Sequence, residues 1–352
     1  MRILILSNST HSGGAEKSAY ILFQGLLSQN CDAHLVVVNS LDATWESPDG
    51  GSKVISLGRG KNQGYTNILS VFLKYQLILF KLRPHVVILN CEVPELLHAF
   101  AVYRSRLIAV EHTTNPWSFS PLIGKTVRKI LLVKKTHWVG VAAENVIWPS
   151  RRIPTNVIFN PVLPGGSDKK NFTCSEIKRL VFVGRLSPEK NPWAVMRIAK
   201  QAKKPALFIG EGIEGTGLKA ECINEGVEAN FLGFQKSPWD FTEMGDLLVI
   251  PSLWEGDGMV VREAISLGIP ILLSRNKDLK RFALPERNYC ESEDDFVERI
   301  LQYGDNAEEL IIGGSLKMKI VDQRDTASVL ANWMDLISCK VETDIPGKGL
   351  VK

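Results

Sequence analysis

The chain has 352 residues and a formal net charge of +4, with 45% hydrophobic and 23% charged residues, which is typical of a soluble globular protein with room for two domains. Six scattered cysteines without a C-x-x-C pair favour reduced cytosolic thiols over a metal or redox site. The longest apolar stretch, residues 68–80, is too short to cross a bilayer, and the apolar run at the start is too short for a signal peptide.

The first half of the chain alternates short apolar runs with helical patterns. We predict buried parallel strands at residues 3–6, 35–38, 86–89 and 107–110, and a helix over residues 15–27. This alternation indicates a βαβ sheet that is covered by helices on both faces.

A glycine pair joins the first strand to the first helix. Gly13 and Gly14 lack a Cβ, so the backbone here can approach a phosphate or a sugar closely. The alternative is that the two glycines only form the turn between the strand and the helix and contact no ligand. We expect His11, in the same loop, to be a bystander.

The dipeptide Glu111-His112 directly follows a predicted strand. A histidine at the carboxyl end of a strand can face an interdomain cleft and bond a sugar hydroxyl. A lone histidine is more often structural.

The basic charge is concentrated in the first half of the chain. Residues 1–160 carry 17 Lys and Arg against 9 Asp and Glu, and residues 122–139 read as an amphipathic basic helix. Such a helix suits an anionic membrane surface, and the alternative is a core-facing helix with a solvated basic face. We expect no nucleic-acid binding. The candidate membrane or acceptor surface consists of Lys125, Arg128, Lys129 and Lys135.

The strand-and-helix pattern starts again after a turn-rich stretch at residues 160–168. We predict strands at residues 180–183, 206–209, 247–250 and 269–273, and an amphipathic helix over residues 326–337. The fold class is therefore α/β, with two doubly wound Rossmann-like domains. In such sheets ligands bind beyond the carboxyl ends of the strands, which here places them in the interdomain cleft.

Two basic residues follow the first strand of the second half. Arg185 and Lys190 lie on a loop after the run that ends in Gly184. An arginine fork and a lysine ammonium at this place can grip a diphosphate. The alternative is a solvated basic loop.

The segment 251–265 carries two glutamates eight residues apart. Glu255 stands in a Gly-rich loop after a strand, and Glu263 stands in the opening turns of a helix. A helix N-terminus favours anions, and carboxylates accept hydrogen bonds from sugar hydroxyls. The segment therefore predicts a site for a nucleotide diphosphate sugar.

Together these residues resemble the retaining glycosyltransferases of family 4, which have the GT-B fold. Glu255 and Glu263 match the E-x7-E motif of that family, and Gly184-Arg185 with Lys190-Asn191 match its G-R-x-x-x-x-K-N pattern. Gly13 to Glu16, Glu111-His112 and Asn160-Pro161 match its other motifs. Asp257 departs from the aromatic residue or leucine that is common at its position; it can alter the sugar preference or face solvent.

The resemblance implies a role for each matched residue. Arg185 and Lys190 would neutralise the donor diphosphate, Glu263 would hold the ribose, and His112 and Glu255 would contact the transferred sugar. The remaining expected donor contacts are Gly13, Gly14 and the backbone of Gly258, Met259 and Val260.

The resemblance also divides the chain. It implies an acceptor-binding domain over residues 1–162, a donor-binding domain over 163–322 and a helix over 323–340 that crosses back to the first domain. Residues 341–352 are expected to form a loose tail.

The activity implied is transfer of a hexosyl unit from a UDP-linked sugar, with retention, to a polyprenyl-diphosphate-linked or other glycan in bacterial surface polysaccharide assembly. Neither a metal nor a cofactor is expected, and the location implied is the cytoplasm or the inner face of the membrane. The alternatives are a nucleotide-sugar epimerase of the same architecture and a catalytically inactive protein that binds sugar nucleotides or docks on membranes.

Overall fold

The computed structural model contains two parallel β-sheets, each packed between layers of helices. The structure describes residues 1–10, 13–41, 53–60, 67–113, 116–118, 120–142, 145, 147, 156–161, 176–321 and 325–338.

The N-terminal sheet has seven strands in the spatial order β3-β2-β1-β4-β5-β6-β7. The strands are β1 (Arg2–Ser7), β2 (Asp32–Asn39), β3 (Val54–Arg59), β4 (Val86–Asn90), β5 (Arg106–Glu111), β6 (His137–Gly140) and β7 (Asn156–Val157), and the helices are α1 (Gly14–Ser28), α2 (Ile68–Leu82), α3 (Glu92–Ala99) and α4 (Pro121–Val133). Central strands such as β4 are runs of Val, Ile and Leu that are buried throughout, because α1 covers one face of the sheet and α2, α3 and α4 cover the other.

The C-terminal sheet has six strands in the spatial order β10-β9-β8-β11-β12-β13. Its strands are β8 (Arg179–Val183), β9 (Ala206–Ile209), β10 (Ala229–Gly233), β11 (Asp246–Ile250), β12 (Ile271–Ser274) and β13 (Tyr289–Cys290), and its helices are α5 (Pro192–Ala202), α6 (Gly215–Asn224), α7 (Met259–Leu267), α8 (Lys277–Lys280), α9 (Glu293–Gln302) and α10 (Gly314–Val321). In each sheet the strand order reverses next to the first strand, between β1 and β4 and between β8 and β11. Each sheet therefore has a topological switch point where a ligand can bind.

The last helix, α11 (Thr326–Ser338), packs on the N-terminal domain. Val329, Trp333, Leu336 and Ile337 are buried in the same core cluster as α1. The predicted fold class is confirmed, including the helix that crosses back. The predicted domain limits after residues 162, 322 and 340, and the predicted tail 341–352, lie outside the described residues.

The predicted basic helix over residues 122–139 is wrong in its extent. α4 ends at Val133, Lys135 takes a left-handed conformation with φ 56°, and the chain continues into β6. The inward face of α4 consists of Gly124, Val127, Arg128 and Leu131.

Candidate active site

Two helix N-termini from opposite domains meet in the cleft. The first turn of α1 and that of α7 approach so closely that a Cβ on Gly14 would stand 3.1 Å from Met259 Sδ. Neither helix has a side-chain hydrogen bond at its N-cap, which is Gly13 in α1 and Gly258 in α7. Because both N-caps are glycines, neither N-cap residue has a side chain to bond the first N–H groups, and the helix dipoles favour an anion between the two N-termini.

Glu255 lies at the base of this cleft and is 6% exposed. Lys190 Nζ lies 2.6 Å from both carboxylate oxygens of Glu255, and the Ser252 hydroxyl donates to one of them over 2.8 Å. The backbone N–H of Glu255 donates to Asp278 Oδ2, which fixes the loop. The partly exposed lysine and the buried first glutamate of the sequence motifs thus form one ion pair.

Glu263 is held from both domains. Lys17 Nζ from α1 lies 2.7 Å from Glu263 Oε1, and the indole N–H of Trp239 donates to Oε2 over 2.8 Å. A carboxylate offers about four acceptor positions, so two donors leave capacity for sugar hydroxyls. Lys17 couples the first helix to the second domain through this carboxylate.

Arg185 reaches the glycine turn of the other domain. A Cβ on Gly13 would stand 3.0 Å from Arg185 Nη2 and 2.8 Å from Glu16 Oε2. The guanidinium is thereby placed beside the N-terminus of α1. Its positive charge adds to the positive potential of the helix ends.

The loop that follows Glu255 needs its glycines. A Cβ on Gly256 would stand 2.2 Å from the carbonyl oxygen of His112, and Gly258 has a φ of 71° that side chains rarely adopt. The loop can therefore press directly against the backbone of the N-terminal domain. His112 lies against this contact.

A hydrogen-bond chain fixes the tautomer of His112. Asn90 Nδ2 donates to the carbonyl of Ala15 over 3.1 Å, so Asn90 Oδ1 must be the acceptor for His112 Nε2 at 2.6 Å. His112 Nε2 therefore carries the proton. Burial lowers the pKa of His112 to about 4, although the charge of Asp257 acts in the opposite direction. The imidazole is neutral at pH 7, and its Nδ1 is an acceptor.

Asp257 does not face solvent. Its side chain is 3% exposed, and Oδ1 lies 3.6 Å from Arg262 Nη2 on α7. The sequence left two alternatives for this aspartate, an effect on the sugar preference or exposure to solvent, and the burial of its side chain excludes the second. The carboxylate is part of the wall beside His112.

Arg128 is buried, and its predicted place on a membrane or acceptor surface is wrong. Its side chain is 2% exposed and bonds Glu95 over 2.8 and 2.9 Å and Glu111 over 2.6 Å. Burial raises the pKa of Glu111 to about 7, against the opposing pull of Arg128. The helical projection failed because this ion pair turns the arginine inward, while Ile123 is 42% exposed.

The structure brings most of the predicted site residues together. Those in the cleft are Gly13, Gly14, His112, Arg185, Lys190, Glu255, Gly258, Met259, Val260 and Glu263. Lys125, Lys129 and Lys135 are exposed on or just after α4, on the outer face of the N-terminal domain.

Sequence reasoning missed several residues that hold the site. Asn90 was detectable, because it follows a buried apolar strand as Glu111-His112 does. Lys17 was detectable from its place in the first turn of the helix that follows the glycine pair. For Trp239 and Asp278 the sequence carries no signal, since both reach the site through the packing of distant loops.

Comparison with known proteins shows similarity in both sequence and fold. Residues 167–310 match the family model described as Glycosyl transferases group 1. The chain is 34% identical over 123 residues to an uncharacterized glycosyltransferase of Methanocaldococcus jannaschii, covering 32% of this chain and 30% of that protein. It is 30% identical over 128 residues to a UDP-Gal:alpha-D-GlcNAc-diphosphoundecaprenol alpha-1,3-galactosyltransferase of Escherichia coli, covering 33% of each.

The matched segment thus spans about a third of the length of these curated relatives. Among solved structures, HepE of Anabaena in complex with UDP and glucose is similar with a TM-score of 0.72 at 15% identity, covering 96% of this chain and 99% of that one. This likeness establishes the GT-B fold. In the part of the chain that the structure describes, no helix has the length and hydropathy to cross a membrane.

Proposed function

We propose, from the group 1 glycosyltransferase match and the GT-B fold, that this protein is a retaining glycosyltransferase of family 4. It takes a hexosyl unit from a UDP-linked donor and transfers it to an acceptor hydroxyl. The observation that carries the proposal is the meeting of two helix N-termini in the cleft, with Arg185 beside the turn before α1 and Lys190 paired with Glu255 in the loop before α7. These positive groups complement a nucleoside diphosphate leaving group, which gains negative charge as its bond to the sugar breaks.

The reaction breaks the bond between the anomeric carbon and the phosphate oxygen, and forms one between that carbon and the acceptor oxygen. UDP leaves with the bonding electrons, and the proton of the acceptor hydroxyl is released together with UDP, so the products are the glycoside, UDP and one proton. Preorganised positive groups stabilise the departing diphosphate in the transition state. Glu263 holds the ribose, and neutral His112 accepts a hydrogen bond from the sugar through Nδ1.

Arg185, Lys190 and the two helix ends already supply positive charge at the leaving group, and we therefore propose a reaction that needs no metal ion. For the acceptor, the named substrate of the E. coli relative supports a sugar on a polyprenyl diphosphate. We place the reaction in the assembly of a bacterial surface polysaccharide.

Thermal shift against a panel of nucleotides and nucleotide sugars tests the donor, with and without EDTA. A ligand at 100 times its Kd adds about 2.7 kcal/mol of stability, so we expect one UDP-sugar to raise the Tm equally in both buffers. A rise that EDTA abolishes would overturn the metal-free mechanism.

The nucleotide sugar that stabilises the protein is then incubated with and without GlcNAc-diphosphoundecaprenol. The products are identified by mass spectrometry, and their linkage is determined by NMR. We expect release of UDP and formation of an α-linked product in the incubation that contains the acceptor, and neither in the incubation without it. Isomerisation of the donor alone would identify an epimerase instead.

A further inference from the structure

Helix α2 exposes a continuous apolar stripe. Leu69, Leu73, Leu77 and Phe80 are 54–70% exposed, while Val71, Tyr75 and Leu79 on the opposite side are buried in the core. The exposed residues are spaced at about four, so they form one row along the outside of the helix. A single exposed leucine needs no explanation, but a row of large apolar side chains indicates an interaction surface.

The stripe continues onto the loop that follows α3. Phe100 is 54% exposed and Val102 is 74% exposed. The loop is attached to α2, because the N–H of Val102 donates to Gln76 and the ring of Tyr103 lies edge-on to Phe80, with centroids 5.9 Å apart. The exposed residues of the loop and of α2 thus lie on two elements in direct contact with each other.

The end of α4 joins the same face. Lys134 Nζ donates to the carbonyls of His98 over 2.9 Å and Ala101 over 2.6 Å, which brings the end of the helix to the loop. Its neighbour Val133 is 83% exposed. We call these residues the α2 surface: Leu69, Leu73, Leu77, Phe80, Phe100, Val102 and Val133.

In the described segments that carry the α2 surface, all charged side chains are basic. The segments 67–83, 100–106 and 121–135 contain no Asp or Glu, and Lys81, Arg83, Arg104 and Lys135 are exposed. At the end of α2, Arg83 and Arg104 line an open depression of about 730 Å³ together with His85. Asp32, also in its lining, is paired with Arg2 at 2.6 Å.

We propose that the α2 surface docks on a bilayer that contains anionic phospholipids. Apolar side chains would enter the interface between headgroups and acyl chains, and the basic rim would attract the lipid phosphates, with Arg83 and Arg104 at the headgroup level. The charge pattern favours a lipid over a protein partner, because the three segments that carry the α2 surface have basic and no acidic side chains, which complements a uniformly anionic surface. This inference does not depend on the identity of the donor, and it replaces α4 by α2 as the main membrane contact.

Flotation of the full chain with vesicles tests the proposal without turnover. We expect binding to vesicles of phosphatidylcholine with 30% phosphatidylglycerol, weaker binding to phosphatidylcholine alone, and release as salt increases. The double variant Leu73→Glu with Leu77→Glu should lose at least tenfold in vesicle affinity. The control Ile223→Glu with Leu301→Glu changes two equally exposed apolar residues on the other domain and should bind as the wild type does.

A second pair of variants separates the charge contribution. Arg83→Gln with Arg104→Gln should weaken binding to the anionic vesicles several-fold, whereas Lys219→Gln with Lys236→Gln on the C-terminal domain should not. Light scattering on the free protein tests for a second copy on this face. Unchanged vesicle binding by the Leu73 and Leu77 variant would overturn the proposal, and so would a wild-type dimer that this variant dissociates without loss of lipid affinity.

Discussion

Lys190 is the residue on which the leaving-group assignment depends. Preorganised cations at a departing charge contribute about 3–4 kcal/mol, so Lys190→Gln should lower kcat by about 10²–10³ and change the donor Kd only a few-fold. The conservative glutamine keeps a donor for Glu255, which otherwise loses its closest cation. Single-turnover rates with saturating donor measure the effect.

The exposed lysine Lys219, changed to glutamine in the same way, serves as the control. If the Lys190 variant turned over within a few-fold of wild type, Lys190 would not act on the leaving group.

Asn90 is a positioning residue that acts through His112. Asn90→Leu removes the acceptor that fixes the proton on Nε2, so we expect kcat to fall about tenfold and the imidazole to show mixed tautomers. Nitrogen NMR of labelled histidine gives the readout that a merely structural role would not move. In the wild type, His112 should stay neutral from pH 8 down to about pH 5, because its pKa is lowered to about 4.

The exposed residue Asn224, changed to leucine, should leave both readouts unaltered. An imidazolium at His112 near pH 6 in the wild type would contradict this account.

Among single residues, the sequence best predicted those site residues whose distance from a strand end or a helix start is fixed. Glu255, Glu263, Arg185 and Lys190 follow strands or open helices, and residues at such places converge in a doubly wound fold. Lys17 and Trp239 could not be assigned to Glu263 in advance, because their contacts depend on how two domains face each other.

The packing of α4 against α3 and β5 depends on one buried cation. Arg128→Met leaves Glu95 and Glu111 without their counterion, and breaking a buried pair in this way costs about 3–5 kcal/mol. Burial raises the pKa of Glu111 and Arg128 lowers it to the wild-type value of about 7, so removal of Arg128 raises that pKa further and the variant loses additional stability as pH rises above about 7. The loss of stability in the variant should therefore be larger at pH 8 than at pH 5.5.

Urea unfolding at the two pH values measures this difference. Lys129→Met, at the next position but exposed, should change the free energy of unfolding by less than about 0.5 kcal/mol. An equal loss for the two variants would refute the buried-cation account.

Among the helices and strands, hydrophobic periodicity predicted the central strands and α1, because the apolar residues of each element are the ones that the fold buries. It failed on α4, where an arginine rather than an apolar side chain faces the core and a left-handed Lys135 ends the helix. Short strands such as β6 and β13 carry too few residues for a pattern of their own.

The whole molecule depends on a close approach of its two domains at Gly256. Since a Cβ there would stand 2.2 Å from a backbone oxygen of the other domain, Gly256→Ala should hold the cleft open. We expect at least a hundredfold loss of transfer with a Tm close to wild type, because each domain keeps its own core. X-ray scattering in the presence of UDP should show a larger radius of gyration than for the wild type.

Gly313, where an added Cβ meets nothing within 4 Å, provides the matched alanine control. Full activity of Gly256→Ala would mean that this approach is not needed for transfer.

The return of α11 to the first domain has a consequence for synthesis on the ribosome. The N-terminal core lacks Trp333 and its neighbours until α11 has been made, and this helix ends 181 positions after the last described strand of that domain (338 − 157). At about 5–20 residues per second this delay lasts roughly 10–35 seconds, during which the apolar residues of the core cluster that α11 covers are exposed to water. Chains that terminate before α11 leave this apolar surface exposed for as long as they exist. We therefore expect chaperones and proteases that bind exposed apolar side chains to recognise such truncated chains.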